Sequence, residues 1–247
     1  MPYLMGGFPD LLTSREIGLA YAAAGADLIE LGVPFSDPLA DGPVIHAAAV
    51  AALRAGARVD DVLFEVGRPI AARIPVIVMC YANPIYVRGL DRFADLLVQA
   101  GASGLIVPDL PAEEAAPVLA ACDERGLALV PLVAPTTPAE RLATIGASAR
   151  GFVYTVALTG TTGERASLDG GLPEVIARAS RNASVPVAVG FGIGDGEQAA
   201  AAAVAGADGV IVGSRLVRAA GEADDPVGAV SELVREFSGA LRRTPLK

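Results

Sequence analysis

The sequence predicts an α/β fold, a single-domain (β/α)8 TIM barrel spanning residues 1–247, and three observations carry that expectation. Short apolar runs alternate strictly with Ala-rich helical stretches, the pattern of a parallel sheet buried on both faces. Eight such units fit within 247 residues, a length at which α/β barrels commonly form one domain. No Pro/Gly/Ser linker or charge run divides the chain. An open dinucleotide-binding sheet is disfavoured, because Gly190-Phe-Gly-Ile-Gly-Asp-Gly places Asp195 where the last glycine of G-x-G-x-x-G belongs.

Strands are expected near 3–6, 28–31, 75–80, 104–107, 127–131, 151–154, 186–189 and 209–212. Helices are expected near 14–24, 44–54, 60–73, 91–100, 112–125, 138–146, 172–183, 195–205 and 225–241. A loose repeat marks the helix ends: Ala-Gly-Ala-Asp at 24–27, Ala-Gly-Ala-Ser at 100–103, Ile-Gly-Ala-Ser at 145–148 and Ala-Gly-Ala-Asp at 205–208. Each glycine suits the left-handed residue after a helix, and the apolar run that follows suits a buried strand. Thr13-Ser-Arg-Glu16, Thr137-Pro-Ala-Glu140 and Asp195-Gly-Glu-Gln198 read as helix starts of the capping-box type.

Composition excludes several classes of function. Apolar residues make up 53% of the chain, enough for a large core, yet no run approaches the ~20 residues that span a bilayer. The start Met1-Pro-Tyr-Leu-Met has no basic region or cleavage pattern, so no secretory signal is expected there. Cys80 and Cys122 lack metal-like spacing, which points to a reducing, cytoplasmic setting without structural zinc. A single histidine, His46, argues against a histidine metal site or triad, and no metal is expected. His46 and Cys80 read as structural. The net charge of −9 argues against nucleic acid, but backbone amides can still bind a phosphate ester.

Chemistry concentrates in Glu30-Leu-Gly-Val-Pro-Phe-Ser-Asp-Pro-Leu-Ala-Asp41. Glu30 interrupts an apolar strand, where an ionised carboxylate costs several kcal/mol, on the order of desolvation estimates, unless it is paired or protonated. The turn-rich segment after it can carry Asp41 back over the strand end. A buried acid of raised pKa facing a better-solvated carboxylate is an acid/base arrangement. A salt-bridged glutamate at a strand end with a turn-capping aspartate is the other reading of the same spacing. At the carboxyl ends of barrel strands, where catalytic groups gather, Asp109 also falls on a loop, after the fourth strand.

Three glycine-rich segments, 158–163, 190–194 and 212–214, follow the sixth, seventh and eighth expected strands. They read as a backbone phosphate site, with tight βα turns as the alternative. The long polar loop from Thr159 to Gly170 reads as a lid. Tyr3, Tyr81, Tyr154 and Phe191 fall at strand ends, where they would fill the core or face a flat apolar ligand. Lys247 is the only lysine, which removes a Schiff-base aldolase.

The run Leu28-Ile-Glu-Leu-Gly-Val-Pro-Phe-Ser-Asp-Pro-Leu-Ala-Asp-Gly-Pro43 resembles the signature of the tryptophan synthase alpha chain family. The likeness extends through Tyr81-Ala-Asn-Pro, Val107-Pro-Asp-Leu-Pro, Gly190-Phe-Gly-Ile and Gly213-Ser214. It implies a (β/α)8 barrel that cleaves indole-3-glycerol phosphate to indole and glyceraldehyde 3-phosphate in tryptophan biosynthesis. By the same resemblance Glu30 is the catalytic acid/base and Asp41 the second catalytic carboxylate. Gly163, Gly192, Gly213 and Ser214 match the phosphate binders, and Tyr3, Ile106, Leu132, Tyr154, Phe191 and Ile211 the indole pocket. Thr159, Gly160 and Thr162 match the lid, where Leu158 and Thr161 depart from the residues usual in relatives.

No cofactor is implied in this chain. The implied partner is a pyridoxal-phosphate-dependent beta chain in an alpha2-beta2 heterotetramer, with Asp37, Pro38, Asn83 and Pro111 as interface candidates. The family's usual N-terminal helix is expected to be lacking, which would expose apolar surface at the barrel bottom. A stand-alone lyase and a non-catalytic barrel that activates a partner are the alternatives.

Overall fold

The computed structural model describes residues 1–156, 172–190 and 192–244. Its strands, all parallel, are β1 (Tyr3–Met5), β2 (Ile29–Gly32), β3 (Val76–Met79), β4 (Gly104–Ile106), β5 (Ala128–Leu129), β6 (Leu132–Val133), β7 (Val153–Val156), β8 (Val187–Gly190) and β9 (Gly209–Val210). They form two runs in chain order, β1 to β5 and β6 to β9.

Two seams join the runs into a barrel. At one, Val130-Pro131 separates β5 from β6. Val130 N–H donates to Leu105 O at 2.9 Å, and Pro131 O accepts from Tyr154 N–H at 2.9 Å. The fifth barrel strand is therefore β5 and β6 in succession, interrupted where proline has no N–H to give. At the other seam Tyr3 N–H donates to Val212 O at 2.9 Å and Val212 N–H to Met1 O at 3.0 Å. The expected eight-stranded barrel is what the chain builds.

Strand periodicity sorts the side chains. Ile29, Leu31, Val76, Val78, Leu105 and Val189 point outward and pack on helix residues such as Ile17, Ile70, Phe93 and Leu216. Ile77, Ile106, Val130, Phe152, Tyr154, Ala188 and Ile211 form a separate cluster that fills the interior. Burying each large aliphatic side chain contributes roughly 1.5–3 kcal/mol, so both faces of the sheet hold the barrel shut.

The outer layer comprises α1 (Leu11–Ala24), α2 (Pro43–Arg54), α3 (Val59–Asp61), α4 (Arg68–Ala71), α5 (Ala82–Arg88), α6 (Leu90–Gln99), α7 (Ala116–Asp123), α8 (Ala139–Ser148), α9 (Leu172–Asn182), α10 (Gly196–Val204), α11 (Ser214–Glu222) and α12 (Pro226–Arg243). A π-helical turn, Val62–Gly67, joins α3 to α4, and a 3-10 turn, Ala112–Glu114, precedes α7.

Several local expectations need correction. Helix α1 begins three residues before Ser14, because Asp10 and not Thr13 is its N-cap; the Asp10 carboxylate accepts from Thr13 N–H at 2.9 Å. Thr137 caps nothing, since its hydroxyl accepts from Ala134 N–H at 2.9 Å and no side chain caps α8. The third start is as expected: Asp195 accepts from Gln198 N–H at 2.8 Å while Gln198 Oε1 accepts from Gly194 N–H at 2.7 Å. Gly25, Gly101 and Gly206 take positive φ after their helices. Gly146 does not end one: it lies inside α8, where a Cβ would collide with the Asn182 carbonyl. Helix α5 was not among the expected elements, and α11 begins at Ser214, where the glycine-rich segment 212–214 leads into a helix N-terminus as the sequence implies.

Candidate active site

Glu30 lies in the middle of β2, in register with Ile77 of the interior cluster, so its side chain enters the barrel. The residue is 2% exposed, and among the described residues neither carboxyl oxygen has a hydrogen-bond partner. With no compensating donor the neutral form wins, and burial pushes the Glu30 pKa from 4.5 up to about 8. The nearby Met1 ammonium pulls it down and the Asp41 charge pushes it further up. The salt-bridged reading of Glu30 is not what the structure holds.

Asp41 stands at the end of the loop after β2, one residue before Gly42, the N-cap of α2. Its Oδ1 accepts from the Tyr81 hydroxyl at 3.0 Å, and the same hydroxyl oxygen accepts from Ala40 N–H at 3.1 Å. Burial raises the Asp41 pKa, opposed by the Tyr81 hydrogen bond and then by His46. His46, expected to be structural, is exposed on α2 and acts on Asp41 through its charge. Cys80 is a core residue whose thiol burial pushes up to about 12.

The structure places four expected pocket residues in one cluster: Ile106, Leu132, Tyr154 and Ile211 belong to the barrel interior. Tyr3 belongs to an adjoining cluster with Met5, Ile45, Ala48, Ala49 and Val217, beneath α2 and α11. Burial raises the Tyr3 and Tyr154 hydroxyl pKa values, and the charges of Glu30 and Asp41 add to both. Tyr3, Tyr154, Glu30 and Asp41 are thus one electrostatic neighbourhood at the mouth of the barrel.

Gly213 is the N-cap of α11 and Ser214 its first residue. Gly213 O accepts from Leu216 N–H at 2.9 Å and Val217 N–H at 3.1 Å. The earlier N–H groups, of Ser214 and Arg215, have no acceptor within the helix, which suits an anion. Gly192 holds φ of 38° on the loop after β8, a left-handed conformation that favours glycine. Gly163, Phe191, Thr159, Gly160 and Thr162, with Leu158 and Thr161, lie outside the described residues.

Of the interface candidates, Asp37, Asn83 and Pro111 are exposed and Pro38 is half-buried. Asp109 has a local job: its Oδ1 accepts from Ala82 N–H at 2.8 Å and so caps α5. Among the described residues, no group of three or more His, Cys, Asp or Glu could hold a metal ion. No helix among them is long and apolar enough to cross a membrane.

A sequence model described as tryptophan synthase alpha chain matches residues 1–242. The chain belongs to that family. The tryptophan synthase alpha chain of Prochlorococcus marinus (strain MIT 9313) is 50% identical over 221 residues, covering 88% of this chain and 80% of the relative. That of Synechococcus sp. (strain CC9902) is 47% identical over 245 residues, covering 98% and 90%. Among solved structures, Mycobacterium tuberculosis tryptophan synthase matches with a TM-score of 0.90 at 42% identity, covering 98% of this chain and 91% of that one. The tryptophan synthase a2b2 complex of Pyrococcus furiosus matches with a TM-score of 0.90 at 36% identity, covering 96% of each. At these identities the likeness to tryptophan synthase alpha chains extends over the strands and loops that carry Glu30 and Asp41.

Proposed function

We propose that this chain is the alpha subunit of a tryptophan synthase and cleaves indole-3-glycerol phosphate, by a retro-aldol step, to indole and glyceraldehyde 3-phosphate. The observation that carries the reading is Glu30: a carboxyl group with no hydrogen-bond partner among the described residues, its pKa pushed up to about 8 by burial, beside the apolar cluster of the barrel interior.

Breaking the bond from indole C3 to the glycerol chain requires C3 to take a proton, so that the ring becomes the electron sink. Glu30 in its neutral form donates that proton. Positive charge then develops on the ring nitrogen, where Asp41 as a carboxylate accepts the N–H and stabilises it. The Glu30 carboxylate next takes the proton of the adjacent glycerol hydroxyl as the C–C bond breaks. Indole leaves with its aromaticity restored, and the aldehyde leaves as glyceraldehyde 3-phosphate. Ile106, Leu132, Tyr154 and Ile211 enclose the ring, while Gly213, Ser214 and Gly192 receive the phosphate. The step as written uses no metal or organic cofactor from this chain.

The partner in this reading is a beta chain that carries pyridoxal phosphate and consumes the indole, in an alpha2-beta2 assembly. Asp37, Pro38, Asn83 and Pro111 are its contacts here. A biosynthetic subunit with two unbridged cysteines suits the reducing cytoplasm.

The deciding experiment measures indole release from indole-3-glycerol phosphate by the purified chain, alone and with a beta subunit, beside Glu30→Gln. Turnover that rises with the beta subunit and disappears in the variant supports the alpha-subunit reading. Fast turnover indifferent to the partner means a stand-alone lyase. No turnover from a folded sample overturns the catalytic reading in favour of a barrel that only activates its partner.

A further inference from the structure

We propose that Tyr81 is a positioning residue for the cleavage, clamping Asp41 Oδ1 so that Oδ2 is the atom that receives the ring N–H of the substrate. The proposal rests on the reading of Asp41 as the carboxylate that meets the indole nitrogen.

Three loops converge on Tyr81. It follows β3 and stands at the N-cap of α5, whose first N–H is fixed by Asp109 from the loop after β4. Its ring stacks on Phe35 of the loop after β2, with centroids 5.2 Å apart and planes at 25°. Its hydroxyl then makes both hydrogen bonds to the end of that loop, donating to Asp41 Oδ1 and accepting from Ala40 N–H. A phenylalanine would fill the same buried space and keep the stack. The hydroxyl is therefore there for the loop and not for the core.

The loop needs such a tie. Ser36, Asp37, Leu39 and Ala40 are exposed, and Leu39 is 86% exposed, so packing does little to fix the chain just before Asp41. A carboxylate that must meet one N–H in a brief transition state loses rate steeply when it wanders. Among the described residues Oδ2 carries no hydrogen bond, so the clamp leaves one oxygen for the substrate. The hydroxyl stays protonated as a donor, because burial and then the Asp41 charge raise its pKa. The other titratable groups around Asp41 are Glu30 from β2, Tyr3 from β1, Tyr154 from β7 and His46 from α2.

The test is Tyr81→Phe in the complete enzyme with its beta subunit, followed by pH-dependent steady-state kinetics of indole release and by thermal unfolding. The expected result is a kcat lower by about tenfold or more with KM for indole-3-glycerol phosphate changed far less. The acid limb of the profile should also move to higher pH, because a hydrogen bond that favours the Asp41 carboxylate has been lost. A merely structural tyrosine would lower the unfolding temperature and leave that limb in place. A variant with the parent's kcat or an unmoved acid limb, beside an active parent, overturns the clamp alone. A parent that releases no indole overturns the reading of the reaction, and the clamp with it.

Discussion

The Tyr3 hydroxyl occupies the space in which Gly32 would carry a Cβ, so the two residues are sterically one unit. Tyr3 is in register with Glu30, two residues before Gly32 on the same face of β2. Its ring leans past the catalytic candidate and comes to rest over the glycine. The absence of a side chain at Gly32 lets an aromatic wall stand beside the buried acid. Gly190 does the same for Tyr154 on the other run of strands, where a Cβ would meet the ring and hydroxyl.

Gly32→Ala should therefore destabilise the protein by about 1–3 kcal/mol, as overpacking does, and lower indole release. Adding Tyr3→Phe should recover part of the stability, since the hydroxyl is the atom nearest the new methyl. Chemical denaturation of the two single variants and the double variant measures this. Strict additivity of the two losses would contradict the pairing.

Glu30 links activity and stability to pH with a definite sign. Its folded pKa is about 8 against an ordinary 4.5, so the folded state keeps a proton that the unfolded chain has lost. Between those values stability falls as pH rises. Glu30→Gln removes the effect: the variant should match its parent near pH 5 and be more stable near pH 8, by on the order of a few kcal/mol. The Met1 ammonium, lowered to about 6 by burial, works in the opposite direction between its folded and ordinary values. The two groups interact, so the difference between the proteins reports Glu30 together with its coupling to Met1. Activity of the parent should decline above about 8 as the proton donor is lost. A parent-minus-variant difference that is flat from pH 5 to pH 8 would remove the desolvated-acid account.

The sequence made the eight strands legible because each is a short apolar run followed by a polar connection, and burial on both faces forces that pattern. Glu30 stood out for the same reason, as a carboxylate that the pattern does not permit. Helix α5 was not legible: seven residues give too little periodicity, and Asn83-Pro84 reads as a turn. Proline is in fact tolerated there, because the first turn of a helix needs no N–H from it. Gly146 was misread because a helix-ending glycine and a glycine pressed against another backbone look alike in one dimension. Tyr81 carries the deepest lesson. Its partners Asp41 and Ala40 are some forty residues away, and no local signal separates a clamp from a core aromatic. The gathering of Ile106, Leu132, Tyr154 and Ile211 likewise required the barrel to close. Their pocket role was read from family resemblance alone.

Asp10 offers a control on the same rim, since its side chain bonds to Thr13 and not to Glu30 or Asp41. As the N-cap of α1 it accepts from Thr13 N–H and from the Thr13 hydroxyl, which lowers its pKa. Asp10→Ala should cost about 1 kcal/mol in stability and leave kcat for indole release unchanged. A loss of kcat without a loss of stability would show that this end of α1 reaches the site.

Ser214→Asp separates the phosphate reading from packing, because the two predict opposite signs. The first turn of α11 contains no acidic residue. A carboxylate there meets the positive end of the helix and should stabilise the fold by about 0.3–1 kcal/mol. If the N–H groups of Ser214 and Arg215 receive the substrate phosphate, the same carboxylate occupies and repels that position. KM for indole-3-glycerol phosphate should then rise by about tenfold or more, a cost of roughly 1.4 kcal/mol or more in binding. Gly213→Ala is the companion variant, since the nearest atom to a new Cβ would be Tyr3 Cβ at 3.7 Å, an ordinary contact. Its fold should survive, so any rise in its KM reports on the space left for the ligand. Kinetics and thermal unfolding of both variants decide the matter. An unchanged KM in Ser214→Asp would remove the start of α11 from the phosphate site, whatever the change in stability.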